Sequence, residues 1–293
     1  MNRDIRRSKV RQIRVCVVIP AKNAARTLER QIEALQSQTY NSGFKIVVAD
    51  NGSEDSTGRI CERYARATNP VTLVDASTRS GANYARYVGS SSVEADLYLF
   101  CDADDIVHSN WVEAYLEGHQ NGADFMGGNL LIHRGPRYLF ERGLDNSLAS
   151  LPFVSGSNFA VSSNVLKSFG GIPYDFDSAG EDADLSWRLQ IGGFALTHCP
   201  LAKVNYTSRT TLASTAKQHF NYGRGQVQLY KKYKDLGMYP KPIQGTLISL
   251  AKLLGGVLFF AFLSHERKFR VATLLGAISG RVSASIEQRI IYV

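Results

Sequence analysis

The chain is poor in cysteine, and the four present have no partner spacing. None forms a C-x-x-C pair and no histidine cluster adjoins them, so the sequence signatures of a zinc site or a redox pair are missing. Cys16 and Cys101 lie inside apolar runs and read as small buried hydrophobes, which suits a reducing, cytosolic setting. There is no G-x-x-x-x-G-K-[ST] loop and no G-x-G-x-x-G after the first apolar run, so ATPase and dehydrogenase readings lose support. An EF-hand starting at Asp102 fails too, because Val107 stands where the loop needs glycine. The start, "MNRDIRRSKVRQIR", is basic, but the apolar "VCVVIPA" after it is too short for a secretion signal. We read residues 1–13 as a solvated basic tail.

What is present fits a globular chain able to bury a sizeable core, with 44% hydrophobic and 20% charged residues among 293. The formal charge of +8 suits an anionic partner, which can be a nucleotide, a nucleic acid or a membrane surface. From residue 14 short apolar runs alternate with amphipathic stretches. "RVCVVIP", "FKIVVAD", "VTLVD" and "DLYLFC" read as strands. "ARTLERQIEALQSQ", "STGRICERYAR" and "GANYARYVGSSS" read as the helices between them. This alternation predicts βαβ units and a parallel sheet. Further on, "SNWVEAYLEGHQNGA" and "RYLFERGLDNSLAS" look helical, "DFMGGNLLIH" and "FVSGSNFAVSS" look like strands, and a helix is expected over 181–191, stopped by Gly192 and Gly193. This second half predicts an antiparallel strand on the same sheet.

Each of the first four strands ends in polar chemistry: "PAKN", "DNGSEDST", "DASTRSG" and "DADD". Ligands of open α/β sheets bind outside the carboxyl ends of the strands, so four polar ends on one edge suggest a site. The plainer reading is that these are turn and cap residues, with Asp55 or Ser56 capping a helix. Asp102, Asp104 and Asp105 crowd like charges together, and a Mg²⁺ or Mn²⁺ ion held by D-x-D would compensate them. Asp105 has no assigned role beyond capping a turn. In "EDADLSWRLQ", Asp182 shares the inward face with Leu185, which makes it the candidate general base. Asp184 can pair with Arg188 and reads as structural.

Together, "VVIPAKNAARTLERQIEALQSQ", "IVVADNGSEDST", "FCDADD" and "GEDADLSWRLQIGGFAL" resemble the family-two glycosyltransferases over roughly residues 14–225. The resemblance implies a single Rossmann-like domain of the A-type glycosyltransferase fold with a mixed, mostly parallel sheet. It implies transfer of a sugar from a nucleotide-diphosphate donor to an acceptor hydroxyl with inversion, aided by Mn²⁺ or Mg²⁺. It places the nucleotide-sugar contacts at Pro20, Ala21, Asn23, Asp50, Asn51, Gly81, Arg86 and Asp102, the metal at Asp102 and Asp104, and the base at Asp182. Two positions depart from the family. Tyr87 follows Arg86 where an asparagine is usual, and Asn205 and Tyr206 stand where a metal- or phosphate-binding histidine is expected. Downstream, Lys217, His219 and Arg224 fall on an expected helix and turn, where they can clamp a diphosphate or form a solvated basic face.

We divide the chain into the tail, a catalytic segment over 14–235 and an appendage over 236–293. The apolar stretch 243–263, with Lys252 near its centre and a basic "SHERKFR" after it, is expected to lie on the cytoplasmic leaflet, with a spanning helix as the second reading. That points to a lipid-linked or saccharide acceptor in cell-envelope assembly, at the inner face of the cell membrane, and not to nucleic acid. Rival readings are a nucleotidyltransferase of related fold, whose Gly-rich basic signature "PAKNAARTLE" lacks, and a non-catalytic nucleotide-sugar-binding protein.

Overall fold

The structure is a computed structural model that describes residues 12–134, 137–148, 151–176, 179–238, 243–258 and 260–292. Most of the tail therefore lies outside the described residues. Strands β1 (Val15–Ala21), β2 (Lys45–Asp50), β3 (Val71–Asp75) and β4 (Leu97–Cys101) alternate with helices α1 (Leu28–Gln36), α2 (Thr57–Arg63) and α3 (Ala82–Ser91). β1 and β4 are almost wholly buried, as continuous β-branched and aromatic runs require when both faces of a sheet are covered. Next come β5 (Ile106–Val107), α4 (Trp111–Gln120), β6 (Phe125–Arg134), β7 (Arg137–Arg142), β8 (Asn158–Ser162), α5 (Ser163–Phe169), α6 (Glu181–Ile191) and β9 (Leu196–Thr207). The chain closes with α7 (Leu212–Tyr233), α8 (Ile243–Leu258) and α9 (His265–Gln288).

One sheet carries the strands in the order β3-β2-β1-β4-β8-β6-β9-β5, with β7 paired to β6. β3, β2, β1 and β4 are parallel. β8 enters antiparallel between β4 and β6, as expected, while β6 and β9 are parallel. β5 and β7 pair antiparallel at their edges, so parallel and antiparallel pairings are balanced and the sheet is mixed rather than mostly parallel. The order reverses at β1, which sets the carboxyl ends of β1, β2 and β4 around one crevice.

The expected helix over "RYLFERGLDNSLAS" is a correction. Residues 137–142 are strand, paired from Arg137 opposite Arg134 to Arg142 opposite Leu130. Tyr138 and Phe140 recur at period two, and pairing supplies β6 with backbone partners that a helix would not. The expected turn in "KQHFNYGRGQ" is also absent, because α7 runs through it unbroken. Its glycines are explained by packing. A Cβ on Gly223 would press on the Ala277 carbonyl, and one on Gly276 or Gly280 would press on the carbonyls of Ala216 or Phe220. Small residues at these points let α7 and α9 meet backbone to backbone.

Apolar side chains cover both faces of the sheet, with Trp111 and Tyr115 fully buried on one and Phe100 stacked on Phe159 on the other. Asn158, wholly buried, ties the halves together. Its Oδ1 accepts from Trp111 Nε1 at 2.8 Å and Tyr115 OH at 2.7 Å, and its Nδ2 donates to the carbonyls of Asn129 and Ala202. The four cysteines are free and buried, and burial pushes the Cys16 thiol up to about 12. We expect Asn158→Ala to leave these buried partners unmatched and to destabilise the fold by about 3 kcal/mol. Urea unfolding, read by tryptophan fluorescence, checks this value.

Candidate active site

A cavity of about 740 Å³ lies beside the carboxyl end of β4. Gly81, Arg86, Asp102, Asp104, Asp182 and Arg224 line it, so the structure brings together sequence-selected residues from well-separated parts of the chain. Pro20, Ala21, Asn23, Asp50 and Asn51 form a second group at the ends of β1 and β2, where Ala21 pairs with Asp50. They do not line this cavity.

The second group is held by its own hydrogen bonds. Ser53 donates to Asp50 Oδ1 through both its backbone N–H and its hydroxyl. Asn23, with φ of 51°, accepts at Oδ1 from the Glu54 N–H. Asn51 is buried and its amide is committed: Nδ2 donates to the carbonyls of Ala76 and Arg79, and Oδ1 accepts from the Gly81 N–H. Asn51 therefore positions the loop that starts α3, and its side chain is not presented to a ligand. Ser56 supplies no side-chain cap for α2, but Asp55 does, as expected of one of the two: its Oδ1 accepts from the N–H and hydroxyl of Thr57, the first residue of the helix, and its Oδ2 from the Ala25 N–H.

In the cavity the acids are compensated unequally. Arg86, buried on α3, donates to Asp102 Oδ1 at 2.9 Å and lies 3.8 Å from Glu181 Oε1. Its other terminal nitrogen donates to Asn83 Oδ1, and Asn83 Nδ2 donates to the Pro173 carbonyl. Asp104 faces Arg209 at 3.6 Å. Burial and the neighbouring Asp102 charge raise the Asp104 carboxyl above its ordinary value, and Arg209 opposes the rise. Asp105 is buried, one of its oxygens has no partner, and desolvation with the Asp102 and Asp104 charges pushes it well up. It caps no turn; the turn-capping expectation is corrected. Carboxylate oxygens of all three lie within 4.8 Å of one another, a donor set of hard oxygens that fits a divalent cation.

Asp182 sits in the first turn of α6, accepting from the Gly156 N–H at 3.2 Å and the Ala183 N–H at 2.9 Å. Burial raises its pKa, against the pull of these bonds and of Arg86 and Arg142. Asp184 is structural, and more firmly than its spacing with Arg188 alone suggests. It meets Arg188 at 2.8 Å, Lys232 at 2.6 Å and the Tyr233 hydroxyl at 2.7 Å, tying α6 to α7. Arg224 lines the cavity but is ion-paired with Glu287 at 2.6 Å and bonded to Ser283, both on α9. Lys217 is exposed and absent from the cavity wall.

Sequence reasoning missed Glu181 and Arg209. The signal for Arg209 was one cation in the polar stretch "YTSRTT", close behind the positions where a histidine was expected. The family's histidine positions fare differently. Asn205 pairs in the sheet with Ile106, whereas the Tyr206 hydroxyl accepts from Gln218 and the ring lines the cavity.

A mixed α/β sheet with acids gathered at its switch point, facing a cavity beside a further acid on α6, is consistent with a Rossmann-like domain of the A-type glycosyltransferase fold. The chain belongs to Glycosyl transferase family 2, whose pattern matches residues 16–179, and Glycosyl transferase family group 2 matches residues 99–286. It is a glycosyltransferase. It is 26% identical to Glycosyltransferase AglE of Haloferax volcanii over 228 residues, covering 74% of each chain. It is 25% identical to the Succinoglycan biosynthesis protein ExoA of Rhizobium meliloti over 235 residues, covering 75% of this chain and 71% of ExoA. In fold it is similar to the mannosyltransferase PcManGT from Pyrobaculum calidifontis in complex with GDP-Man and Mn²⁺, with a TM-score of 0.62 and 16% identity over 95% of this chain and 89% of that one.

The buried Asp105 carboxyl, with one oxygen unpartnered, gives a direct test. A carboxyl raised in the folded protein binds more protons there than when unfolded, so its contribution to stability falls as pH rises through the raised value. In metal-free buffer Asp105→Asn should therefore raise Tm at neutral pH, and the gain should shrink on acidification. Differential scanning calorimetry across the acid range reads both effects.

Proposed function

We propose that the protein moves a sugar from a nucleotide-diphosphate donor to an acceptor hydroxyl, with inversion at the anomeric carbon and with a divalent cation, Mn²⁺ or Mg²⁺, at Asp102 and Asp104. The observation that carries this is the placement of a pKa-raised Asp182 and the D-x-D acids on one cavity. When bound there, the cation supplies Lewis-acid stabilisation of the leaving diphosphate. Arg86 fixes Asp102 against the strand end. In this reading Asp50, which pairs with Ala21 at the ends of β2 and β1, accepts from a base N–H, and Pro20 and Asn23 flank the nucleoside. Arg209 presents positive charge on the diphosphate side, next to Asp104.

On the acceptor side, Asp182 takes the hydroxyl proton as the acceptor oxygen bonds to the anomeric carbon. The bond from that carbon to the diphosphate oxygen breaks with its electron pair, and the charge leaves on the nucleotide. The Gly156 and Ala183 N–H groups hold the Asp182 carboxylate in place as it takes this proton. No covalent enzyme nucleophile is required, so a single displacement inverts the configuration.

The acceptor is a saccharide or lipid-linked saccharide of cell-envelope or exopolysaccharide assembly, delivered at the inner face of the cell membrane. Ile248, Leu254, Val257, Leu258 and Phe262 are exposed around α8 and its end, and Arg267, Lys268 and Arg270 follow. Among the described residues no helix is long and apolar enough to cross a membrane. This arrangement suits a surface seated in anionic headgroups, apolar side chains down and basic ones at their level. Leu254→Glu with Leu258→Glu should abolish co-sedimentation with phosphatidylglycerol vesicles while nucleotide binding persists; unchanged co-sedimentation would remove the membrane reading.

Asp182→Asn should lower transfer about 10²–10⁴-fold while donor affinity is retained. Only the ionised Asp182 accepts the proton, so kcat/KM should fall as pH drops through its raised value. The acid limb then sits above the ordinary carboxylate range. Undiminished transfer by Asp182→Asn would refute the base role.

A further inference from the structure

Behind Asp182 lies a second cavity of about 290 Å³, sharing Ser155, Gly180, Asp182 and Tyr222 with the main one. Its remaining wall includes Arg142, Asp145, Phe153, His219, Gln226 and Ala277. The strand β7, the helix α7 and the C-terminal helix α9 thus meet around it, the last beyond the 16–179 stretch that matches the family-two pattern. The chamber reaches solvent past the exposed Arg142 and Ser147.

Its chemistry is specific. Gln226 Oε1 is enclosed and has no hydrogen-bond partner, so it can accept from a ligand hydroxyl. Arg142, also in the wall, is already balanced by Asp145 at 3.5 Å. With Asp182 also in the wall, an anionic ligand would meet two carboxylates and one cation. His219 stays neutral, because burial lowers its pKa. Phe153 and Leu229 add apolar surface. A neutral, polyhydroxylated ring satisfies all of these groups, and the volume is about that of ten waters, enough for one ring and not a chain.

We propose that this inner chamber receives the terminal, uncharged sugar of the acceptor, one hydroxyl directed at Asp182, and that Gln226 of α7 and Ala277 of α9 select it. The proposal rests on Asp182 being the acceptor-side base. Its recognition elements lie outside the nucleotide side of the site, so acceptor choice is written partly in the C-terminal helix.

The test uses the full chain with Mn²⁺ and saturating GDP or UDP, and saturation-transfer NMR with the methyl glycosides of glucose, mannose and N-acetylglucosamine, against glucuronate. At least one neutral glycoside should give a signal, and glucuronate none. Gln226→Leu and, separately, Ala277→Leu should each weaken that binding about fivefold or more, the scale of one lost hydrogen bond or a filled pocket. Nucleotide affinity, measured by calorimetry on the same samples, reports that each variant is folded. Signals that neither variant weakens, no signal from any neutral glycoside, or a preference for glucuronate would overturn the proposal. Failure of the parent protein to bind either nucleotide would instead strike the donor reading on which it rests.

Discussion

The site depends on one ion pair, the buried Arg86 with the partly exposed Asp102 at 2.9 Å. Three aspartates at the end of one strand cannot all stay charged and close without compensation, because each raises the cost of ionising the next. Arg86 is nearly inaccessible and reaches across from α3, so its charge is little screened by water. It also approaches Glu181 at the start of α6, and through Asn83 it ties the loop at Pro173. The donor-side acids and the Asp182 helix are thereby held around one cation. Removing it would leave Asp102 and Glu181 without this compensation.

Compensation is graded along the cluster. Asp102 has a buried partner, Asp104 has the half-exposed Arg209, and Asp105 has one oxygen with no partner. The charge left over is what a divalent cation would neutralise. Arg209 stands close behind the expected histidine positions, and it brings fixed positive charge in place of a neutral ligand. A metal and a nucleotide bound as proposed would therefore meet a site already partly neutralised.

Much of this was legible in the sequence because local rules and tertiary structure agree there. Continuous apolar runs became β1 to β4, and the helix over 181–191 begins with three acids suited to its dipole and ends before two glycines. What was illegible depended on partners distant in the chain. Residues 137–142 became a strand because β6 offered an edge, and no local pattern announces an edge. Asn51 looked like a ligand-binding loop residue, yet its amide is consumed by two carbonyls and an N–H far along the chain. Asp184 was read from one i,i+4 spacing, while Lys232 and Tyr233 arrive from α7. A turn was expected around the glycines of α7; Gly223 is instead a contact point with α9, visible only once the two helices are side by side.

The central claim is that the acids at the end of β4 bind a divalent cation together with a nucleotide diphosphate. Mn²⁺ titration followed by electron paramagnetic resonance, with and without GDP or UDP, tests it most directly. The account predicts that nucleotide and protein together deplete the free-Mn²⁺ signal, and that Asp104→Asn abolishes the depletion while the protein stays folded. Depletion that survives Asp104→Asn unchanged, or no bound Mn²⁺ in the parent protein with either nucleotide, would contradict it.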